Sequence, residues 1–186
     1  MDVGVLSVRY AKALLEYAQD KGVAEELYSQ AKMLLDCFAE NPSLSVTLED
    51  PLLTHRQKLE LISSALSCSQ MAKEVLVNYF NLIISKHREP YMASSLRSFI
   101  ELYRKSAGIT VVKMITAVPL EKDMEDKILA KVSGLLGKKV ELQKSVDPSI
   151  EGGFIFDIDD YRLDASVANR IRQIRQQLLS KNKRIV

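Results

Sequence analysis

The chain from residue 4 to about residue 107 repeats its apolar residues with the period of an α-helix. Its first segment places them at i, i+4, i+7, i+8, i+11 and i+12, positions that share one face of a helix. That face consists of Leu6, Tyr10, Ala13, Leu14, Tyr17 and Ala18. Gly22 follows, and a glycine after the last periodic residue commonly ends a helix. The pattern predicts a first helix that packs on this face.

Helix breakers and capping residues divide the rest of this region into about five more helices. The residue before a proline disfavours the helical conformation, and a capping box satisfies the first free amides of a helix. The predicted segments are about 24–39, 43–48, one behind the capping box Thr54-x-x-Gln57, one behind the capping box Ser67-x-x-Gln70 that runs to about Lys86, and one after Pro90. About six helices joined by short loops predict a six-helix bundle.

After Gly108 the apolar period changes to two, as in β-strands. The predicted elements are strands in ITVVKMITAV, KVELQKSV, GFIFDI and YRL, with a helix over 121–136 that Gly137 caps. Asp159-Asp160 predicts a two-residue hairpin turn, and Asp164 the N-cap of a final helix. We interpret the apolar residues of that helix as its packing face. They are Val167, Ile171, Ile174 and Leu178.

These two patterns predict an α+β protein that is mostly α. We expect an N-terminal helical bundle domain over residues 1–107 and a small C-terminal α/β domain over residues 108–186. A domain as small as the second buries little apolar surface by itself. We therefore expect it to gain stability within a complex.

Charge changes this picture at the C-terminal end. The chain has a net charge of +2, yet residues 165–186 contain six basic residues and no acidic one. Such a segment is either a solvated helix face or a docking surface for an acidic partner. The alternative is a nucleic-acid-binding adaptor that uses this basic helix. The apolar residues of the helix argue against it, because their spacing indicates that they pack against the rest of the domain.

The adjacent glycines of SIEGGFIF, Gly152 and Gly153, could belong to a phosphate-binding turn. They lead into a strand rather than a helix N-terminus, so the geometry that binds anions is missing. We interpret them as a structural turn that packs closely against a neighbouring element. The Walker-like stretch GLLGKKV fails as well, because Val132 replaces the first glycine and Lys139 the magnesium-binding hydroxyl.

The candidate metal and acid–base patterns also fail on spacing. His55 and His87 each lack a second ligand at metal-binding spacing. In DIDDYRLD, Tyr161 and Arg162 occupy positions where a calcium loop requires an oxygen ligand and a glycine. We predict that the chain has no catalytic residue, metal site or cofactor and is not an enzyme.

Two helices carry more apolar residues than one packing face requires. The first has a second stripe of Val5, Val8, Ala11 and Leu15, and the fifth, around VLVNYFNLII, is apolar on nearly every side. An all-round apolar helix is either central in a bundle or partly exposed for a partner. Two such helices favour a groove that receives an amphipathic partner helix.

Three stretches resemble one family, in the same order along the chain. They are VRYAKALLEYA at 8–18, NYFNLIISKHR at 78–88, and VDPSIEGGFIFDIDDYRLDASVANRIRQIRQQL at 146–178. Together they resemble the delta subunit of F-type ATP synthases, called the oligomycin-sensitivity-conferring protein in mitochondria. Glu151, where the family usually has an apolar residue, and Asp159-Asp160, in place of the commoner Gly-Asp, depart from its pattern.

The resemblance implies a non-catalytic stator subunit. In that family the helical domain binds N-terminal helices of the alpha subunits, and the second domain binds the b subunits of the peripheral stalk. Proton-driven rotation is thereby coupled to ATP synthesis. We expect the chain at the cytoplasmic face of a bacterial inner membrane, held there through the complex and without nucleic acid.

The resemblance also assigns residues to the two binding sites. Tyr10 and Ala13 match the family's interface motif in the first helix, and Asn78 and Leu82 match it in the fifth. Tyr10 and Ala13 also fit the predicted core face of the first helix. For the peripheral stalk we expect the arginines of the last helix, which are Arg170, Arg172 and Arg175.

Overall fold

The computed structural model describes residues 3–120, 122–158 and 161–182, and for Val3, Asp123 and 177–182 it describes the backbone alone. These residues form eight α-helices, two short 3₁₀ helices and a four-stranded sheet, which confirms a mostly helical α+β protein. The helices are α1 Val3–Asp20, α2 Ala24–Glu40, α3 Pro42–Glu49, α4 His55–Ser64, α5 Gln70–Ser85, α6 Met92–Ala107, α7 Lys122–Leu136 and α8 Val167–Asn182. The strands are β1 Ile109–Thr116, β2 Lys139–Val146, β3 Phe154–Ile158 and β4 Tyr161–Asp164. The chain divides into two compact units, Met1–Ser106 and Ala107–Val186.

Side-chain caps fix where two helices begin. Thr54 and Gln57 form the predicted capping box at the start of α4. The predicted box at Ser67 is wrong, because α5 begins two residues later than that box requires. Its N-cap is Ser69, whose hydroxyl accepts a hydrogen bond from the amide of Ala72. The amide of Ser67 instead donates to the side chain of Gln30, 3.2 Å away, so Ser67 joins α2 to the loop before α5.

The core of the N-terminal unit is built from the buried faces of its six helices. Its largest fully buried side chains are Leu14, Leu27, Leu48, Val75, Leu76, Phe80, Ile83, Met92, Leu96 and Phe99. On α1 the buried face is rotated from the predicted one. Ala11, which we assigned to the second stripe, is fully buried, whereas Ala13 is exposed and Tyr10 half-buried. The rotation places Ser7 in the buried face, where its hydroxyl pairs with that of Ser94 at 2.8 Å.

The C-terminal unit is organised around β1. The sheet order is β2-β1-β3-β4, with β2 parallel to β1 and the other neighbouring pairs antiparallel. Parallel neighbours need a crossover, and α7 supplies it between β1 and β2. Val112 and Met114 of β1 and Ile155 of β3 are buried. Ile158 pairs with Tyr161, so two residues join β3 to β4; the predicted turn at Asp159-Asp160 lies outside the described residues.

A buried ion pair joins α4 to the 3₁₀ helix Glu89–Tyr91. The ammonium of Lys58 lies 2.9 Å from the carboxylate of Glu89, and both side chains are over nine-tenths buried. Burial by itself raises the pKa of Glu89, but the hydrogen bond and charge of Lys58 act against it. The net result is a pKa below the usual 4.5. Folding therefore favours the ionised carboxylate.

The lowered pKa of Glu89 predicts a contribution to acid stability. A carboxyl group with a lowered folded pKa stabilises the fold above its unfolded pKa and loses that contribution as the pH falls through the folded value. We expect the free energy of unfolding to fall below about pH 4.5, and to fall less steeply in the Glu89→Gln variant. Chemical denaturation from pH 7 to pH 3 measures both curves. Identical slopes in the two proteins would contradict the prediction.

Candidate functional site

The α1–α5 pair carries the four residues that the resemblance assigns to partner binding. Helices α1 and α5 pack against each other. Tyr10 is fixed at the C-terminal end of α5, because its hydroxyl accepts a hydrogen bond of 2.6 Å from Arg88. The guanidinium of Arg88 also lies 5.5 Å from the centre of the Tyr10 ring. The structure thus joins Tyr10 to the turn that follows α5, through Arg88.

The other three of these residues are exposed. Ala13 lies about one helical turn after Tyr10, and Asn78 and Leu82 lie one turn apart on α5. The side chain of Leu82 is 45% exposed, and Met71, which continues the same stripe of α5 toward its start, is 52% exposed. The other edge of the exposed face of α5 contacts α4, since Asn81 is hydrogen-bonded to His55 of α4 at 2.7 Å. This part of α5 therefore presents apolar surface on the flank away from α4.

A buried hydrogen bond to α6 helps to hold α5 in place beneath that surface. The hydroxyl of Tyr79 donates to Ser95 of α6 at 2.7 Å. Burial raises the pKa of Tyr79 to about 12, so the phenol stays neutral at physiological pH. Asn78 and Leu82 are thus presented from a helix whose opposite side is packed and hydrogen-bonded.

A second apolar surface lies at the start of α1. Val5 and Val8 are 59% and 40% exposed. With Gly4, Arg9 and Lys12 of the same helix they form an open surface patch. The second stripe seen in the sequence predicted two of these residues, while Ala11 of the same stripe is buried and Leu15 half-buried.

The glycine pair positions the start of α8. Gly153 has φ +78°, and a Cβ atom built on it would overlap the carbonyl oxygen of Ala165 and lie 3.2 Å from the Cα of Ser166. The amide of Val167 donates to the carbonyl of Gly152 at 3.0 Å. Glu151 is exposed in a left-handed conformation with φ 64° and ends the 3₁₀ helix Pro148–Ile150. The turn thus brings two backbone segments closer than a side chain would allow.

Ser166, rather than Asp164, is the N-cap of α8. Its hydroxyl accepts a hydrogen bond from the amide of Asn169 at 3.1 Å. Asp164 supports this cap from two residues earlier, since its carboxylate accepts from both the amide and the hydroxyl of Ser166. These hydrogen bonds lower the pKa of Asp164. The predicted cap was wrong because a carboxylate two residues before a cap forms its own local turn.

The described side chains of α8 beyond residue 169 are exposed, which corrects the predicted packing face. Every residue from 170 to 176 is exposed. Val167, Ile171 and Ile174 are 44%, 54% and 51% exposed. Leu178 is among the residues for which the structure describes the backbone alone. Arg170, Arg172 and Arg175 are exposed as well, but they do not share one face of the helix. The sequence pattern correctly identified an apolar stripe on α8. It did not show which surface covers that stripe.

The described residues contain no group of three or more His, Cys, Asp or Glu side chains that could hold a metal ion. The charged pair in the predicted hairpin region, Asp157 and Arg162, lies across neighbouring strands at 3.6 Å and is partly exposed. Among the described helices, none combines the length and apolarity needed to cross a bilayer.

Comparisons with known proteins give one result over both units. The family model described as ATP synthase delta (OSCP) subunit matches residues 6–178. The chain is 44% identical to "ATP synthase subunit delta" of Bacteroides thetaiotaomicron over the whole of both chains. It is 35% identical to the protein of that name from Flavobacterium johnsoniae, covering 92% of this chain and 96% of that one.

A solved structure shares the fold. A chain in a cryo-EM structure of the Toxoplasma gondii mitochondrial ATP synthase hexamer superposes with a TM-score of 0.65, covering 94% of this chain and 97% of that one. Its 22% identity supports a likeness of fold alone. These comparisons do not support the nucleic-acid-binding alternative. Because the family model spans both units, the chain belongs to the ATP synthase delta (OSCP) subunit family.

Proposed function

We propose that the chain is the non-catalytic stator subunit of a bacterial F-type ATP synthase. The observation that carries this proposal is the match to the family over residues 6–178, which includes both units. Residues 1–107 act as a six-helix bundle that binds the catalytic head. Residues 108–186 act as a small α/β domain that binds the peripheral stalk. The protein thus holds the head still while proton flow turns the central shaft.

The head-binding surface lies on α1 and α5. Tyr10, Ala13, Asn78 and Leu82 contact the N-terminal helices of the alpha subunits. Exposure of Ala13 and Leu82 supports this assignment, because a docked amphipathic helix buries small and apolar side chains. The small side chain of Ala13 lets the partner backbone approach closely. Burial of apolar surface supports slow dissociation, which a stator needs because each turnover applies torque to it.

The stalk-binding surface lies on α8. Arg170, Arg172 and Arg175 are exposed and attract acidic side chains of the b subunits. The subunit is peripheral to the membrane, at the cytoplasmic face of the bacterial inner membrane, and is held there by these partners.

Affinity purification tests the proposal. A tagged copy of the full chain, expressed in its own bacterium and purified from solubilised membranes, is expected to recover ATP synthase subunits. With all three arginines changed to glutamate, recovery of b subunits is expected to fall at least about tenfold, while the isolated chain still binds alpha subunits. Purification of the wild-type chain without any ATP synthase subunit would refute the stator role.

A further inference from the structure

The apolar residues of α8 have the spacing of a coiled-coil seam. Val167, Ile171 and Ile174 are separated by four and three residues, which is the d-a-d spacing of a heptad repeat. Leu178 continues the spacing as the next a position in the sequence. All three described members of the stripe are about half exposed. The seam therefore faces solvent rather than the sheet of its own unit.

Two of the arginines flank this seam and the third does not. In the same register Arg170 occupies a g position and Arg175 an e position, one on each side of the apolar stripe. Arg172 occupies a b position on the outer surface. In a coiled coil the e and g residues pair across the interface and select the partner, while b residues remain in solvent. The three basic residues therefore have two different environments.

The exposure of α8 indicates that its stabilising partner lies outside its own unit. Beyond its cap the helix is exposed at every residue from 170 to 176. Helices of this length are marginal in water unless tertiary packing covers an apolar face. A second copy of the chain is a poor partner, because its Arg170 and Arg175 would face like charges. The complementary occupant is a helix with apolar a and d residues and acidic e and g residues.

We propose that residues 167–178 of α8 form one strand of a heterotypic coiled coil with such an acidic heptad helix. The inference deepens the proposed function, on which it rests, by naming the chemical class of the stalk segment that α8 binds. Ile171 and Ile174 supply the buried seam, and Arg170 and Arg175 select glutamate over lysine on the partner. Acidic residues at both e and g positions satisfy these arginines in parallel and antiparallel pairings alike.

Two designed peptides of about three heptads test this proposal. Both have Ile at a and Leu at d, and they differ in carrying glutamate or lysine at every e and g position, so each repels its own copies. Fluorescence anisotropy measures their binding to the full chain at low and high salt. The acidic peptide is expected to bind at least about tenfold more tightly than the basic peptide at low salt. This preference should shrink as salt rises.

Variants separate the seam from its surroundings. Arg170→Glu with Arg175→Glu is expected to reverse the peptide preference, and Ile174→Asp to remove binding of both peptides. Lys138→Glu is the control, because it reverses the charge of an exposed lysine in the same unit, just before β2 and outside α8, and should alter affinity less than about twofold. Circular dichroism establishes that each variant is folded.

Three outcomes would overturn the coiled coil. They are equal binding of the two peptides, an equal loss in the Lys138→Glu control, and displacement of the acidic peptide by a short DNA duplex with the same dependence on all three arginines. If any of these occurs while the tagged chain still recovers stalk subunits, the coiled coil is wrong and the stator role stands. If the wild-type chain recovers no ATP synthase subunit, the stator role fails whatever the peptides do.

Discussion

Gly153→Ala is expected to destabilise the C-terminal unit by roughly 3–4 kcal/mol. Two costs combine at this position. The backbone has φ +78°, where a Cβ atom costs about 1 kcal/mol. The new methyl group would also overlap the carbonyl oxygen of Ala165, and a backbone atom cannot turn aside as a flexible side chain can. A unit of this size has a total stability on the order of 4–12 kcal/mol, so the loss is a large part of it.

Gly137→Ala is the matched control in the same unit. Gly137 has φ +60°, but a Cβ atom there has no neighbour within 4 Å. Its replacement should cost only about 1 kcal/mol, the conformational part of the effect. Chemical denaturation with hydrogen exchange at β3 and the start of α8 measures both variants. Equal destabilisation by the two substitutions would show that close packing of Gly153 against Ala165 is unimportant.

Ala13→Asp is expected to weaken binding of the alpha-subunit N-terminal helix by roughly a hundredfold. Docking a partner helix would bury the new carboxylate against apolar surface, which costs about 3 kcal/mol without a compensating partner. Ala13 is exposed in the free chain, so the same substitution leaves the fold intact. A synthetic peptide that copies the N-terminus of the alpha subunit, titrated onto the full chain by calorimetry, measures the effect.

Ala39→Asp provides the control for this experiment. Ala39 is an exposed alanine on α2, so the substitution makes the same chemical change in the same unit but outside the proposed surface. Its peptide affinity should remain within about twofold of the wild type. Unchanged affinity in a folded Ala13→Asp variant would remove α1 from the proposed head-binding surface.

The sequence predicted elements well where local chemistry decides them. The capping box of Thr54 and Gln57 begins α4, as their spacing required. Gly137 follows α7 with a left-handed backbone, as its position after the periodic residues required. The pattern at Ser67 gave a wrong prediction because Ser69 offers an equally good cap, and because the amide of Ser67 donates a long-range hydrogen bond to the side chain of Gln30. A competition of this kind depends on contacts that no local pattern contains.

Hydrophobic periodicity alone did not predict which faces of α1 and α8 are buried, because that depends on the surfaces that pack against them. On α1 the apolar residues span so much of the helix that a small rotation buries Ala11 and exposes Ala13. On α8 the spacing correctly identified an apolar stripe, yet Ile171 is 54% exposed. Hydrophobic spacing reports that a face must be buried but not whether the same chain buries it. In a subunit of a complex, a face buried by the same chain belongs to the core, and a face buried by another chain belongs to an interface.

The strand order of the sheet determines when the protein can fold during its synthesis. The N-terminal unit is complete at Ser106 and draws its core from residues already made. Strand β1 leaves the ribosome next, but its partners β2 and β3 begin only at Lys139 and Phe154. A chain interrupted between these points would carry a folded helical unit followed by an unpaired apolar strand, a species prone to aggregation.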